Sequence, residues 1–138
     1  MASHEISVEP DISAVPPLVE WIETRCREDG LADELTFRMA LILEEAVTNV
    51  INYAFSDRPP PHVIRLKLDI AIERIVAEIV DNGRPFDPLA RPEPDLSRPI
   101  EEREPGGLGI HLMRRMTDRI EYRRNGADNC LRLEKNRA

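Results

Sequence analysis

An α/β fold is predicted for this chain, on three observations. Apolar residues recur at helical spacing over residues 15–26, 41–55 and 108–116. Residues 63–70 alternate apolar and polar with period two, and residues 72–80, 119–123 and 130–134 also read as strands. The length of 138 residues suits one domain with a genuine core, with no internal repeat or domain boundary, so residues 1–138 form one unit.

In chain order, Glu5-Ile6-Ser7-Val8-Glu9 alternates and fits a short edge strand. Asp11 or Ser13 is placed to cap the first helix, in which Val15, Leu18, Val19, Ile22 and Cys26 share a face; Pro16 and Pro17 suit its first turn and Gly30 its end. Trp21 is read as core or as a partner-facing contact. Asp33 is expected to cap the central helix, which runs to about Phe55 and is stopped by Ser56-Asp57-Arg58-Pro59-Pro60-Pro61. Residues 63–70 and 72–80 make an antiparallel hairpin turned near Ala71-Ile72-Glu73-Arg74. Residues 81–107 are rich in Pro, Arg, Glu and Asp without periodicity, the character of a lid, a binding loop or a disordered segment. A helix entered from glycine follows, then a last hairpin turned around Asn125-Gly126.

Composition narrows the function. No apolar run is long enough to span a bilayer and no secretory signal is present, so no membrane role and a cytoplasmic location are expected. Cys26 and Cys130 lack metal-ligand spacing and are expected as reduced, packed thiols; three scattered histidines give a structural zinc site little support. The net charge of −7 argues against non-specific nucleic-acid binding. Charge is uneven: eight Lys or Arg against four Asp or Glu follow Ile110, giving about +4 there and about −11 elsewhere. That tail is a solvated face or a docking patch for an acidic partner.

Three stretches carry the chemistry. In the central helix, Glu45, Asn49 and Asn52 fall at i, i+4 and i+7 on a shared face. A carboxylate and two amides on the inner part of a mostly apolar helix need partners, so the stripe reads as the wall of a binding site; the alternative is ordinary polar positions turned to solvent. The second stretch is Asp81-Asn82-Gly83-Arg84-Pro85-Phe86-Asp87-Pro88. Asn-Gly after a strand is a hairpin signal, yet no returning strand follows. Asp81 at a strand's end can instead accept from an exocyclic amine such as adenine's, with Gly83 leaving room for the flat base. The third is Gly106-Gly107-Leu108-Gly109-Ile110, opening a helix, where backbone N–H groups can approach a phosphate; a plain flexible loop end is the alternative. The spacing is not the dinucleotide fingerprint, and no P-loop is present.

Taken in order, these stretches resemble the GHKL ATPase superfamily, which includes histidine kinases, gyrase and Hsp90-type chaperones. Glu45-xxx-Asn49 resembles its N box, Asp81-x-Gly83 its G1 box and Gly107-x-Gly109 its G2 box. Glu45-Ala46-Val47-Thr48-Asn49, Pro85-Phe86-Asp87-Pro88 and Gly106-Gly107-Leu108-Gly109-Ile110 look most like the stand-alone anti-sigma-factor serine kinases. The resemblance implies an α/β two-layer sandwich: a mixed, mostly antiparallel sheet with helices on one face and a long lid loop over ATP or ADP and Mg2+. It implies Glu45 as general base and Asn49 as magnesium ligand. It implies Asn49, Asn52, Asp81, Gly83, Phe86, Gly106, Gly107, Leu108, Gly109, Ile110 and Asn129 as the nucleotide-contacting positions. It also implies phosphorylation of a serine on a small anti-anti-sigma partner, sequestration of a sigma factor or equivalent client, and a possible homodimer. An ATP-gated binding module without kinase activity is the alternative. The chain departs from the pattern at Tyr53, where many relatives have histidine, and at Pro105, where some have an arginine that Arg103 would replace. It departs again at Asn129-Cys130, where Gly-Thr is frequent.

Overall fold

Five strands and three helices make two layers in a computed structural model that describes residues 2–90 and 107–137. Strands β1 (Ala2–Val8), β2 (Ile64–Ile70), β3 (Arg74–Asp81), β4 (Arg119–Asn125) and β5 (Asp128–Asn136) form one sheet in the order β1-β2-β3-β5-β4. Helices α1 (Val15–Glu28), α2 (Asp33–Tyr53) and α3 (Gly107–Met116) supply the other layer.

Every strand pairing is antiparallel, so among the described residues the sheet expected to be mixed is antiparallel throughout. Connectivity gives the reason. Two helices separate β1 from β2, so the chain re-enters the sheet reversed. The longer path through α3 leaves β4 running the same way as β3, and the tight last hairpin inserts β5 between them, opposed to both.

Period-two alternation decides which face is covered. Ile64, Leu66, Leu68 and Ile70 of β2, Ile75, Ala77 and Ile79 of β3, and Leu131 and Leu133 of β5 join one buried cluster with Leu18, Ile22, Met39, Leu43, Val47, Ile110 and Met113 of the helices. Each such side chain removed from water contributes roughly 1.5–3 kcal/mol, so this cluster dominates stability. The uncovered face carries the intervening residues, where Arg132 pairs with Glu78 (3.5 Å) and Glu134 (3.4 Å), and Arg119 with Glu121 (3.3 Å). Much of the basic tail is therefore a solvated face with its charge locally matched, and such exposed pairs add little stability.

Local chemistry sets the element ends. Gly30, at φ +80°, closes α1: its N–H donates to Arg27 O (3.0 Å) and that of Leu31 to Cys26 O (3.0 Å), a Schellman arrangement. Asp11 caps a short 3-10 turn, Ile12–Ala14, ahead of α1, accepting from Ser13 N. Asp33 does not cap α2. Ala32 is the N-cap and makes no side-chain cap bond, while Asp33 and Glu34 sit in the first turn, where negative charge suits the helix dipole. β3 begins two residues later than expected because Ile72 and Glu73 turn the hairpin, leaving Ile72 89% exposed. Trp21 is half-buried against the core, with His4 edge-on and Arg25 over its ring. Cys26 and Cys130 are both buried and free.

Candidate active site

The site forms where the end of β3 meets α2. α2 stops at Tyr53 because the loop after β3 takes its last carbonyls: Arg84 N donates to Ala54 O (2.8 Å) and Arg84 Nε to Tyr53 O (2.9 Å). Gly83 makes this approach feasible. A Cβ there would lie 2.4 Å from Ala54 O and 2.6 Å from Ala54 Cβ. The glycine is thus required by the backbone at the C-cap of α2, a demand beyond the one read from the sequence. Asn82 ties the same loop to the start of β2, accepting from Val63 N (2.8 Å) and donating to Pro61 O (2.9 Å).

A small cleft opens beside this junction. Asn49, Asp81, Phe86, Met113, Tyr122 and Asn129 share its wall with apolar residues of α2, β3 and β5. Asp81 is 4% exposed; its Oδ1 accepts from Gly83 N (2.9 Å) and from Asn129 Nδ2 (2.9 Å). Burial raises its pKa, against the pull of those hydrogen bonds and of Arg124. Asn49 is also 4% exposed, and its Nδ2 has no hydrogen-bond partner among the described residues. An orphaned buried amide in a cleft wall is costly in the protein alone and is the position a polar ligand completes. Phe86 stacks on Tyr53 with ring centroids 5.9 Å apart.

The sequence stripe separates into three environments. Asn49 is buried in the cleft, Glu45 is half-buried one turn earlier and outside the lining, and Asn52 is exposed. The stripe is therefore not uniformly on the inner face: Val50 and Ala54 turn inward on either side of Asn52, which faces out. Burial, and then the like charge of Glu44, raise the Glu45 pKa, which strengthens it as a proton acceptor. Gly107 opens α3 as expected, with Gly109 inside the helix; Ile110 is buried in the core and Met113, one turn on, reaches the cleft. Leu108 lies in the first turn of α3. Gly106, Arg103, Pro105 and the rest of the 91–106 part of the expected 81–107 loop lie outside the described residues.

Two site residues escaped sequence reasoning. Tyr122 lines the cleft, and Arg124 donates to Gly83 O (2.8 Å) and Asn129 Oδ1 (3.1 Å). Counting back from the Asn125-Gly126 turn finds them, since that hairpin places Arg124 opposite Asn129 and Tyr122 opposite Leu131.

Residues 8–135 match the family described as the histidine kinase-like ATPase domain. The chain belongs to that family. Among relatives of this histidine kinase-like ATPase domain, the serine/threonine-protein kinase BtrW of Bordetella bronchiseptica is 32% identical, covering 82% of this chain and 79% of that one. The serine-protein kinase RsbW of Halalkalibacterium halodurans is 27% identical, covering 79% and 72%. In fold, the domain is similar to the crystal structure of the RsbU and RsbW domains of Rv1364c from Mycobacterium tuberculosis (TM-score 0.70, 11% identity). That match covers 98% of this chain but only 32% of the solved one. The histidine kinase domain from the Erythrobacter litoralis EL346 blue-light activated histidine kinase is a more distant fold neighbour (TM-score 0.56, 19% identity, 91% of this chain and 60% of that one).

The residues present fit a magnesium nucleotide. Among the described residues no group of three or more His, Cys, Asp or Glu could hold a metal by itself. Magnesium carried by phosphates asks for less: it keeps several waters and takes one or two protein oxygens, which Asn49 can supply. Bound there, it would neutralise phosphate charge. No helix among the described residues is long and apolar enough to cross a membrane.

Proposed function

We propose that the chain is an ATP-dependent protein serine kinase and anti-sigma factor. It phosphorylates a small anti-anti-sigma antagonist and, in the alternate partner state, sequesters a sigma factor or an equivalent client. The observation that carries this reading is the shared cleft of Asn49 and Asp81, with Glu45 one turn before Asn49 on the same helix. Two relatives named as serine or serine/threonine kinases, each covered over most of its length, support it. In this scheme an oxygen of Asp81 accepts a hydrogen bond from the amino group of adenine, and Asn49 would hold the magnesium. The glycines that open α3 approach the phosphates. Glu45 takes the proton of the attacking serine hydroxyl, whose oxygen then bonds the γ-phosphorus as the bond to ADP breaks.

The test is transfer of labelled γ-phosphate from magnesium-ATP to the cognate antagonist. Serine labelling supports the kinase; a folded sample that binds ATP and both partners without transfer removes it. One observation favours a second reading, an ATP-gated binding module: Glu45 is not among the side chains lining the cleft. The same assay separates the two, because the module binds ATP and partner without labelling either.

A further inference from the structure

The geometry points to Asn129 as the positioning residue of the base seat, with Tyr122 and Arg124 turning its amide the way round that the seat needs. This rests on the nucleotide reading above and deepens it: the network makes Asp81 selective for a 6-amino purine, and Asn129 does so without touching the ligand.

The orientation of the amide follows from its partners. A guanidinium and a backbone N–H only donate. Arg124 Nη1 lies 3.1 Å, and Phe86 N 3.4 Å, from one terminal atom of Asn129, so that atom is the oxygen. The other terminal atom faces Arg84 O at 2.7 Å and Asp81 Oδ1 at 2.9 Å, both acceptors, so it is the nitrogen. The Tyr122 hydroxyl also donates to Oδ1. Both amide protons are thereby committed within the protein, and the oxygen takes three donors. Asn129 acts through Asp81.

Asp81 Oδ1 is in turn saturated by Asn129 Nδ2 and Gly83 N, whereas Oδ2 has no partner among the described residues. The carboxylate thus offers the cleft one acceptor. An amino group satisfies it; a hydrogen in that place leaves it unpaired, and a carbonyl repels it. Arg124 holds both halves together, since its Nη1 bonds Gly83 O as well as Asn129 Oδ1. The last hairpin and the loop after β3 are therefore fixed as one body. Asn129 faces Asp81 directly because β3 and β5 pair at those two residues.

The experiment compares two ligands by titration calorimetry with magnesium: ATP, and purine riboside triphosphate, which lacks only the exocyclic amine. Wild type is expected to prefer ATP by about tenfold to a hundredfold, the range for a hydrogen bond to a charged group. In Asn129→Leu, ATP affinity falls towards that of the analogue while analogue affinity stays within about threefold of wild type. Tyr122→Phe loses a smaller part of the same preference. Equal weakening of both ligands in Asn129→Leu assigns the residue to structure alone and overturns the inference. So does an unchanged preference in Tyr122→Phe if Asn129→Leu fails to fold. Wild type that binds neither ligand overturns the nucleotide reading beneath, an outcome visible without any variant.

Discussion

The two ends of the cleft are built differently. At the base end, Asp81, Gly83 and Asn129 are tied to one another, to Arg84 and Arg124, and through Ala54 to α2. At the α2 end, Asn49 has an amide nitrogen without a partner among the described residues, and Glu45 is a half-buried carboxyl. The first is organised before any ligand arrives; the second is completed by what arrives. Rigid hydrogen bonding suits recognition of a flat, neutral base. An unsaturated wall suits a charged group that brings its own metal and water. Affinity and chemistry should therefore be separable by substitution, and the following experiments press on that separation.

The largest effect is expected from Glu45→Ala. Loss of a general base should reduce phosphate transfer by roughly 10²–10⁴-fold while ATP affinity stays within about threefold. Transfer rates beside calorimetric affinities check this; equal transfer by the variant would join the two ends that the comparison divides.

Asp81→Asn should do the reverse. ATP affinity is expected to fall about tenfold to a hundredfold, because an amide donor now meets the ligand's amino group. The hydrogen bonds from Gly83 and Asn129 survive on the remaining oxygen, so the fold persists. The variant should also be more stable than wild type at neutral pH. Burial raises the Asp81 pKa, so ionisation opposes folding: the wild-type contribution is present below the unfolded carboxylate pKa and lost as pH rises through the folded one. The stability gap between variant and wild type should close on acidification, as thermal unfolding at several pH values would show.

Gly83→Ala probes the joint between the ends. Its Cβ would meet the backbone of Ala54, which has little room to move, and a loss of about 1–3 kcal/mol is expected in denaturant unfolding, together with weaker ATP binding. A neutral outcome would show that the loop after β3 does not need its close approach to α2.

The smallest effect is a shift in pH dependence. Glu45 accepts a proton only when ionised, so transfer should rise with pH through an inflection above the ordinary carboxylate range. Burial is the main cause and the charge of Glu44 the second. Glu44→Gln removes the second and should move the inflection to lower pH, with the plateau unchanged. A pH–rate profile of the two proteins reads this directly.

Much of this was legible in the residues because it is local. Helical and alternating periodicities reflect which side of an element meets water, and they locate all three helices and the strands. Gly30, the Asn125-Gly126 turn and the glycine opening α3 are marked by chemistry that needs no distant partner. The failures share one cause. The end of α2 at Tyr53 and the close approach at Gly83 depend on where the loop after β3 lands, and no periodicity encodes that. Tyr122 and Arg124 were hidden for a related reason: their significance lies in what stands across the hairpin.

By itself the sequence determined the α/β class, the order of elements and the motif set Glu45, Asn49, Asp81 and Gly83. Each of these is carried by the spacing and type of neighbouring residues. The tertiary structure alone decided that Asn49 and Asp81 share a wall, that Asn129 is hydrogen-bonded to Asp81, and that Gly83 is required by Ala54. Those facts arise from contacts between segments tens of residues apart, and they exist only once burial of the common core has brought the segments together.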